Sequence, residues 1–152
     1  MAEKAQSSLE MLITLSFGLI ILLPIVILAF IQISSSTSVL AATEAQEAAS
    51  KLAGISAILG SQGPPSKQLV LIQVPPNVHN IFVGGLNNTI GHEITFVVST
   101  SAGPSYVTAY TPVNVSGYLG DILSTGSYLL NATSLASCPA DPAVSCVYIT
   151  ST

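Results

Sequence analysis

Residues 11–33, MLITLSFGLIILLPIVILAFIQI, are the stretch of sequence that decides the fold. None of these 23 residues is charged. About 20 apolar residues in a helix, each rising about 1.5 Å, cross the roughly 30 Å hydrocarbon core of a bilayer. The stretch therefore predicts a transmembrane helix. Pro24, near its middle, predicts a bend or a local loosening, because proline removes a backbone hydrogen bond; the alternative is simple tolerance, since prolines are common in membrane helices.

The composition excludes several classes of protein. A chain of 152 residues has room for one membrane helix and one small domain. Charged residues make up only 7% of it, and its cations are three lysines without any arginine, which excludes binding to a nucleic-acid backbone. The few ionisable residues form no catalytic motif and no phosphate-binding loop follows a strand, so we expect neither an enzyme nor a cofactor.

A second helical pattern follows the serine-rich stretch behind the apolar run. Small and apolar side chains recur there at spacings of three and four: Ala45, Ala49, Leu52, Ile55 and Leu59. This spacing predicts an amphipathic helix with a narrow buried face. Glu47 and Lys51 stand four apart and predict a surface ion pair. Gly60 predicts the cap of the helix, and Gly63-Pro64-Pro65 predicts that it continues no further. A single helix over residues 7–59 would be about twice as long as a bilayer requires, so its second half must pack on something else.

From Lys67 onward the pattern is that of strands separated by turn-rich loops. Six segments have it: residues 68–74, 80–83, 92–100, 106–113, 127–133 and 147–150. The first is a continuous apolar run and predicts a strand buried on both faces. Ile94, Phe96 and Val98 predict one buried face of the third, and Pro112 predicts an edge position for the fourth. The expected fold class is α+β, a long N-terminal hydrophobic α-helix followed by a small C-terminal antiparallel β-sheet or β-sandwich domain.

Two cysteines, Cys138 and Cys146, enclose seven residues. In an exported domain this spacing predicts a small disulfide loop, and the alternative is two free thiols. We expect no metal site, because His79 and His92 lie far from the two sulfur atoms in sequence and a zinc site requires four ligands.

Three acceptor sequons for N-glycosylation follow the apolar run. They begin at Asn87, Asn114 and Asn131. Three sequons in one segment fit an external domain with glycosylated turns, and the alternative is chance occurrence in a chain rich in serine and threonine.

The N-terminus carries a more specific pattern. Lys4 and Ala5, followed by Gln6 and then by Ser8 and Glu10 ahead of the apolar run, resemble the class III signal peptides of archaeal type IV pilins. The pattern of that family is a short basic head, a cut after a small residue, and then Gln-x-Ser-x-Glu. The resemblance implies that a membrane prepilin peptidase cleaves between Ala5 and Gln6.

The same resemblance covers residues 4–33 and extends to the helix up to Leu59. Beyond that it is architectural, because such pilins carry a small β-domain on a long helix. Bacterial type IV pilins share an acid at the position of Glu10 and a helix-loosening proline at that of Pro24. The longer archaeal pattern has a leucine four residues after the acid, where this chain has Thr14.

The resemblance implies three regions and a cellular setting. Residues 1–5 would be the signal peptide, residues 6–60 a helix that spans the membrane in the precursor and forms the filament core after assembly, and residues 61–152 an extracellular β-rich head. The precursor would lie in the cytoplasmic membrane with its N-terminus inside. Its implied partners are membrane lipid, the prepilin peptidase, an assembly ATPase, a membrane platform protein and copies of itself through the N-terminal helices.

The position of Glu10 also has a physical explanation that does not depend on the resemblance. A carboxylate in an apolar medium is costly unless it is paired with a cation. Cleavage before Gln6 would create an α-ammonium group four residues away, within reach of Glu10 of the same or an adjacent subunit. We hypothesise that this pair sets the axial register of assembling helices; the alternative is an ordinary charge at the membrane interface.

The expected function is that of a structural subunit of an extracellular pilus-like filament, for adhesion or surface attachment. Three alternatives remain at this stage. They are an archaellin-like motility filament subunit, a single-span membrane-anchored binding protein that does not polymerise, and a secreted enzyme released by a cut after Ala41.

Overall fold

The computed structural model describes residues 2–86, 89–122 and 124–152, with side chains from Leu9 onward. Its elements in chain order are α1 (Ala2–Gln62), β1 (Ser66–Val74), β2 (Val78–Val83), β3 (Gly91–Thr100), β4 (Gly103–Tyr118), β5 (Gly126–Leu135) and β6 (Cys146–Ser151). The chain divides into two compact units, Met1–Thr37 and Ser38–Thr152. The predicted α+β fold, a long N-terminal helix followed by a small β-domain with six strands, is confirmed.

Helix α1 ends two residues later than Gly60. Gly63 has a φ of 73°, and its backbone N–H donates a hydrogen bond of 3.1 Å to the carbonyl oxygen of Leu59. A glycine in the left-handed conformation that satisfies a carbonyl of the last turn is a C-terminal helix cap. The prediction that Gly60 caps the helix is therefore wrong, whereas the predicted stop at Gly63-Pro64-Pro65 is confirmed. Gly60 instead permits a close approach to β4, because a Cβ atom there would overlap the side chain of Val113.

The six strands form one sheet in the order β1-β5-β6-β4-β3-β2. All neighbouring pairs are antiparallel except β4 and β6, which run parallel from Val115↔Val147 to Tyr118↔Thr150. Strand β6 reaches this position after the chain has passed through β5 and the cysteine loop, so it enters between β5 and β4. A parallel pair needs such a long connection.

The core of the second unit lies between α1 and one face of the sheet. Four of the five helix residues predicted to be buried are so: Ala45, Ala49, Leu52 and Leu59. Ala41, one turn before them, is also fully buried. Ile55 is only half-buried, and the neighbouring Ser56 takes a fully buried position, where its hydroxyl donates to the Leu52 carbonyl at 2.8 Å. Ile94, Phe96 and Val98 of β3 are fully buried, as predicted. Small side chains on the helix let its backbone come close to these larger residues of the sheet.

One prediction about an individual strand is wrong, and another holds for only part of its strand. Strand β1 is not buried on both faces: Val70, Ile72 and Val74 are buried, whereas Leu69 and Leu71 are more than half exposed. The reason is that α1 covers only one face of the single sheet, so the alternate residues of β1 point away from the core; the central strand β5 shows the same alternation. Strand β4 is interior in the sheet order, but it pairs with β6 only over residues 115–118. Pro112 lies before that stretch, where only β3 is beside the strand and where the register with β3 shifts, between Tyr110 and Val115. The edge position predicted from Pro112 therefore holds locally and does not hold for the strand as a whole. Proline is tolerated at such an irregularity because no ladder hydrogen bond is lost there.

Candidate membrane-spanning segment

The apolar segment, residues 11–33, forms part of α1 and is exposed throughout. Helix residues Leu9–Gln62 include an 18-residue window with a mean hydropathy of 2.8, and none of that window is buried. Phe17 and Phe30 are 65% and 74% exposed. By length and composition this helix can cross a membrane. A helix that is apolar on all sides and has no protein around it requires lipid or other apolar helices as its surroundings.

The hydroxyl groups inside the apolar segment are satisfied by the helix itself. The Thr14 hydroxyl lies 2.8 Å from the carbonyl oxygen of Glu10 and 3.0 Å from that of Met11, and the Ser16 hydroxyl donates to the Leu12 carbonyl at 2.8 Å. Because each hydroxyl proton already has an acceptor, these side chains can enter an apolar medium without an unsatisfied donor. Thr14 and Ser16 are therefore compatible with burial in lipid or among helices.

Glu10 stands directly before this segment, and its side chain is exposed. Among the described side chains, no cation lies within ion-pair distance of its carboxylate. The predicted cleavage position between Ala5 and Gln6 and the motif residues Lys4 and Ser8 have helical backbone, but their side chains lie outside the described part of the structure. The proposed partner of Glu10, the α-ammonium created by cleavage, therefore stays a prediction.

Pro24 lies in the interior of α1, and the helix continues on both sides of it. Helix α1 also includes the serine-rich stretch, residues 34–38. There the Thr37 hydroxyl donates to the Ser34 carbonyl at 2.9 Å. The predicted loosening at Pro24 stays a prediction.

The cysteine loop connects β5 to β6. Cys138 and Cys146 form a disulfide with a Cα–Cα distance of 5.4 Å, and both are buried. Within the loop, the Cys138 N–H donates to the Val144 carbonyl at 2.9 Å, and the Ala143 N–H donates to the Asp141 carboxylate at 3.0 Å. The bridge thus fixes the start of β6, the strand that joins β5 to β4.

The three sequons differ in their surroundings. Asn87 lies outside the described residues. Asn114 is half-buried in β4, where its amide nitrogen donates to the Ser145 carbonyl at 3.3 Å. Asn131 is half-buried in β5, where its amide oxygen accepts a hydrogen bond of 3.3 Å from the hydroxyl of Thr133.

Sequence reasoning missed one contact between the helix and the sheet. Lys51 does not pair with Glu47 as predicted; its ammonium donates a 2.7 Å hydrogen bond to the carbonyl oxygen of Leu71 in β1. Strand β1 is an edge strand, so on its outer side no neighbouring strand is present to bind this carbonyl. Beside this contact is an open cleft of about 330 Å³, which Glu44, Glu47 and Gln73 also line.

The described residues include no group of three His, Cys, Asp or Glu side chains that could hold a metal ion. His92 is exposed and stacks on Tyr110, with ring centroids 5.9 Å apart. His92 is therefore one of two stacked aromatic rings on the surface.

No family model, no curated protein and no solved structure matches this chain.

Proposed function

We propose that this protein is a structural subunit of an extracellular archaeal type IV pilus-like filament, which serves in adhesion or surface attachment. The observation that carries the proposal is the fully exposed apolar segment, which begins directly behind Glu10 and the motif Gln-x-Ser-x-Glu. A segment of this kind has to be covered. In the precursor lipid covers it, and in the filament the same segments of neighbouring copies do.

The resemblance to type IV pilins implies a pathway between these two states. The precursor lies in the cytoplasmic membrane with its N-terminus inside and its β-domain outside. A prepilin peptidase removes residues 1–5, and an assembly ATPase with a membrane platform protein moves the helix out of the bilayer into the filament. Since the apolar surface passes from one apolar environment to another, the transfer requires little net change in hydrophobic free energy.

Glu10 would give this transfer its specificity. An unpaired carboxylate among packed apolar helices is strongly unfavourable, whereas one paired with the α-ammonium of Gln6 is tolerated. Only subunits placed at the correct axial height bring the two charges together. The pair therefore selects one register out of many that apolar side chains alone would allow.

The second candidate is a single-span anchored surface protein that never polymerises, because the apolar segment has the length and composition of a simple membrane anchor. A secreted product released after Ala41 is less compatible with the fold. Ala41 is fully buried inside α1, so that cut would fall within a helix that contributes to the core of the second unit.

Sequencing the N-terminus of protein sheared from the cell surface tests the proposal, together with electron microscopy of the same material. We expect a start at Gln6 and filaments that contain the protein. An intact N-terminus or a start at Ala2, without filaments, would support the anchored protein instead, and a start at Ala42 would support the secreted one. A start at Gln6 in swimming filaments would indicate the archaellin-like alternative.

A further inference from the structure

Asn131 and Asn114 both stand in acceptor sequons, but the fold presents them differently. Enzymatic N-glycosylation joins the side-chain nitrogen of asparagine to a sugar, and it requires the hydroxyl of the serine or threonine two residues later. A folded acceptor site must therefore offer both groups to the enzyme.

The sequon of Asn114 is closed by the sheet. Its amide nitrogen already donates to the Ser145 carbonyl, and the hydroxyl-bearing Ser116 is only 2% exposed. Val115, between them, pairs with both Gly91 and Val147. To react, Asn114 would have to leave a position where strands β3, β4 and β6 meet.

The sequon of Asn131 lies on the uncovered face of the sheet, where Asn131 is half-buried in a strand that pairs with both β1 and β6. Asn131 and Thr133 alternate along β5 with the buried Leu130, Ala132 and Ser134, so they lie on the sheet face opposite to the core. The Thr133 hydroxyl donates to the amide oxygen of Asn131, which leaves the amide nitrogen without a partner in the described structure. In this sequon the Thr133 hydroxyl thus already contacts the amide of Asn131, and the amide nitrogen is available to react.

An exposed apolar patch adjoins this asparagine. The leucine patch consists of Leu69, Leu71 and Leu129, which are 53%, 57% and 44% exposed. Leu69 is the cross-strand partner of Asn131, and Leu71 is that of Leu129. Since side chains of directly opposed residues have Cβ atoms about 4.5–5.5 Å apart, a sugar attached to Asn131 would lie against Leu69.

We propose that Asn131 is N-glycosylated, that Asn114 is not, and that the first sugars of this glycan cover the leucine patch. The donor is an oligosaccharide linked to a lipid phosphate. The amide nitrogen of Asn131 forms a bond to the anomeric carbon, the bond from that carbon to the phosphate oxygen breaks with its electron pair, and the amide proton passes to a base of the transferase. The apolar C–H faces of the sugar rings pack on the leucines, and the sugar hydroxyls face water. The inference rests on the external position of the head under the proposed function.

Mass spectrometry of peptides from the surface-extracted protein tests this site. The protein should come from the cells that make it, with another N-glycosylated surface protein of those cells as the positive control. We expect a glycan on the peptide that contains Asn131 and an unmodified Asn114. An unmodified Asn131, or a glycan on Asn114, would overturn the proposal.

Sequon variants separate the role of the hydroxyl from that of the strand. Asn131→Gln and Thr133→Val should both lose the mass of the glycan, whereas Thr133→Ser should keep it because it retains the hydroxyl. Ser116→Ala, the matched control in the closed sequon, should leave the glycan pattern unchanged. Retention of the glycan on Asn131 in Thr133→Val would contradict the assignment.

A measurement of aggregation tests whether the glycan covers the leucine patch. Asn131→Gln should increase the fraction of protein that sediments as aggregate, and Asn131→Gln combined with Leu69→Ser should reverse the increase. If the double variant aggregates as much as the single one, the patch is not what the glycan covers. These measurements also distinguish the two proposals: a start at Gln6 with a bare Asn131 defeats only the glycan, and a modified Asn131 on a protein that forms no filament defeats only the pilus.

Discussion

The ammonium of Lys51 in helix α1 donates a 2.7 Å hydrogen bond to the backbone carbonyl oxygen of Leu71 in strand β1. Strand β1 is at the edge of the sheet, so its outward backbone groups have no neighbouring strand. A lysine that donates a hydrogen bond to such a carbonyl links the helix to the sheet. It also hinders pairing of this edge with a strand of another molecule.

Lys51→Met should lower the free energy of unfolding by no more than about 1 kcal/mol, since the side chain is exposed and the hydrogen bond competes with water. Thermal unfolding of the full chain in mild detergent measures this change. Lys67→Met, which alters an exposed lysine on β1 itself, is the control and should leave the unfolding temperature unchanged. Equal effects of the two variants would show that the contact with Leu71 contributes nothing.

Leu52→Ala should destabilise the second unit by about 2–5 kcal/mol, because it removes a fully buried side chain and leaves a cavity between α1 and the sheet. Leu40→Ala, on the same helix, removes a side chain that is 59% exposed and should change the free energy by less than about 0.5 kcal/mol. Both are measured by unfolding of the full chain in detergent. A small effect of Leu52→Ala would contradict the packing of this helix face on the sheet.

Gly117→Ala should strongly destabilise the pairing of β4 with β6, since a Cβ atom at this position would overlap the carbonyl oxygen of Ile149. That oxygen belongs to the backbone of β6 and cannot move without disturbing the sheet. Gly54→Ala is the matched control: a Cβ atom there has no neighbour within 4 Å, and alanine should raise stability by about 1 kcal/mol through helix propensity. Gly117→Ala should therefore lower the unfolding temperature, and Gly54→Ala should raise it. If Gly117→Ala leaves the unfolding temperature unchanged, β6 does not lie beside Gly117.

Replacing Cys138 and Cys146 together by alanine should cost about 2.5 kcal/mol, the loop-closure entropy for a bridge between residues eight apart. A reducing agent should lower the unfolding temperature of the parent protein to about that of the double variant. It should leave the unfolding temperature of the double variant unchanged. If the reducing agent acts equally on both proteins, its effect does not come from this disulfide.

Glu10→Gln should abolish filaments while the variant is still made and inserted in the membrane, because the neutral amide loses its attraction for the α-ammonium of Gln6. Electron microscopy of cells that lack other pilins measures assembly, and N-terminal sequencing separates a processing defect from an assembly defect. Glu44→Gln, outside the apolar segment, is the control and should assemble normally. Normal filaments from Glu10→Gln would refute the register hypothesis.

Much of the fold could be predicted because its signals are local. The uncharged run over residues 11–33 and the spacing of Ala45, Ala49 and Leu52 each define a helix without reference to any distant residue. The alternation of Ile94, Phe96 and Val98 likewise defines a strand with one buried face. The candidate site could be predicted to the same extent, since length and absence of charge are sufficient to recognise a segment that can span a membrane.

The incorrect predictions all concern distant partners. The sequence predicted Leu69 and Leu71 to be core residues, but they are exposed because α1 covers only the other face of the sheet. Lys51 had a suitable partner four residues away in sequence, yet it binds a carbonyl oxygen 20 residues further on. Gly60 read as a helix end, but its place opposite Val113 and the conformation of Gly63 assign the cap elsewhere.

The sequence by itself determined that this protein has a long apolar helix with a single acid at its start, followed by a small β-domain. Hydropathy and periodicity are properties of neighbouring residues, so they need no tertiary structure. Only the tertiary structure decided that β6 enters the sheet parallel to β4, that Asn114 is closed while Asn131 lies on the uncovered face of the sheet, and that the leucine patch lies beside Asn131. Each of these depends on which segments, far apart in the chain, come to lie next to one another.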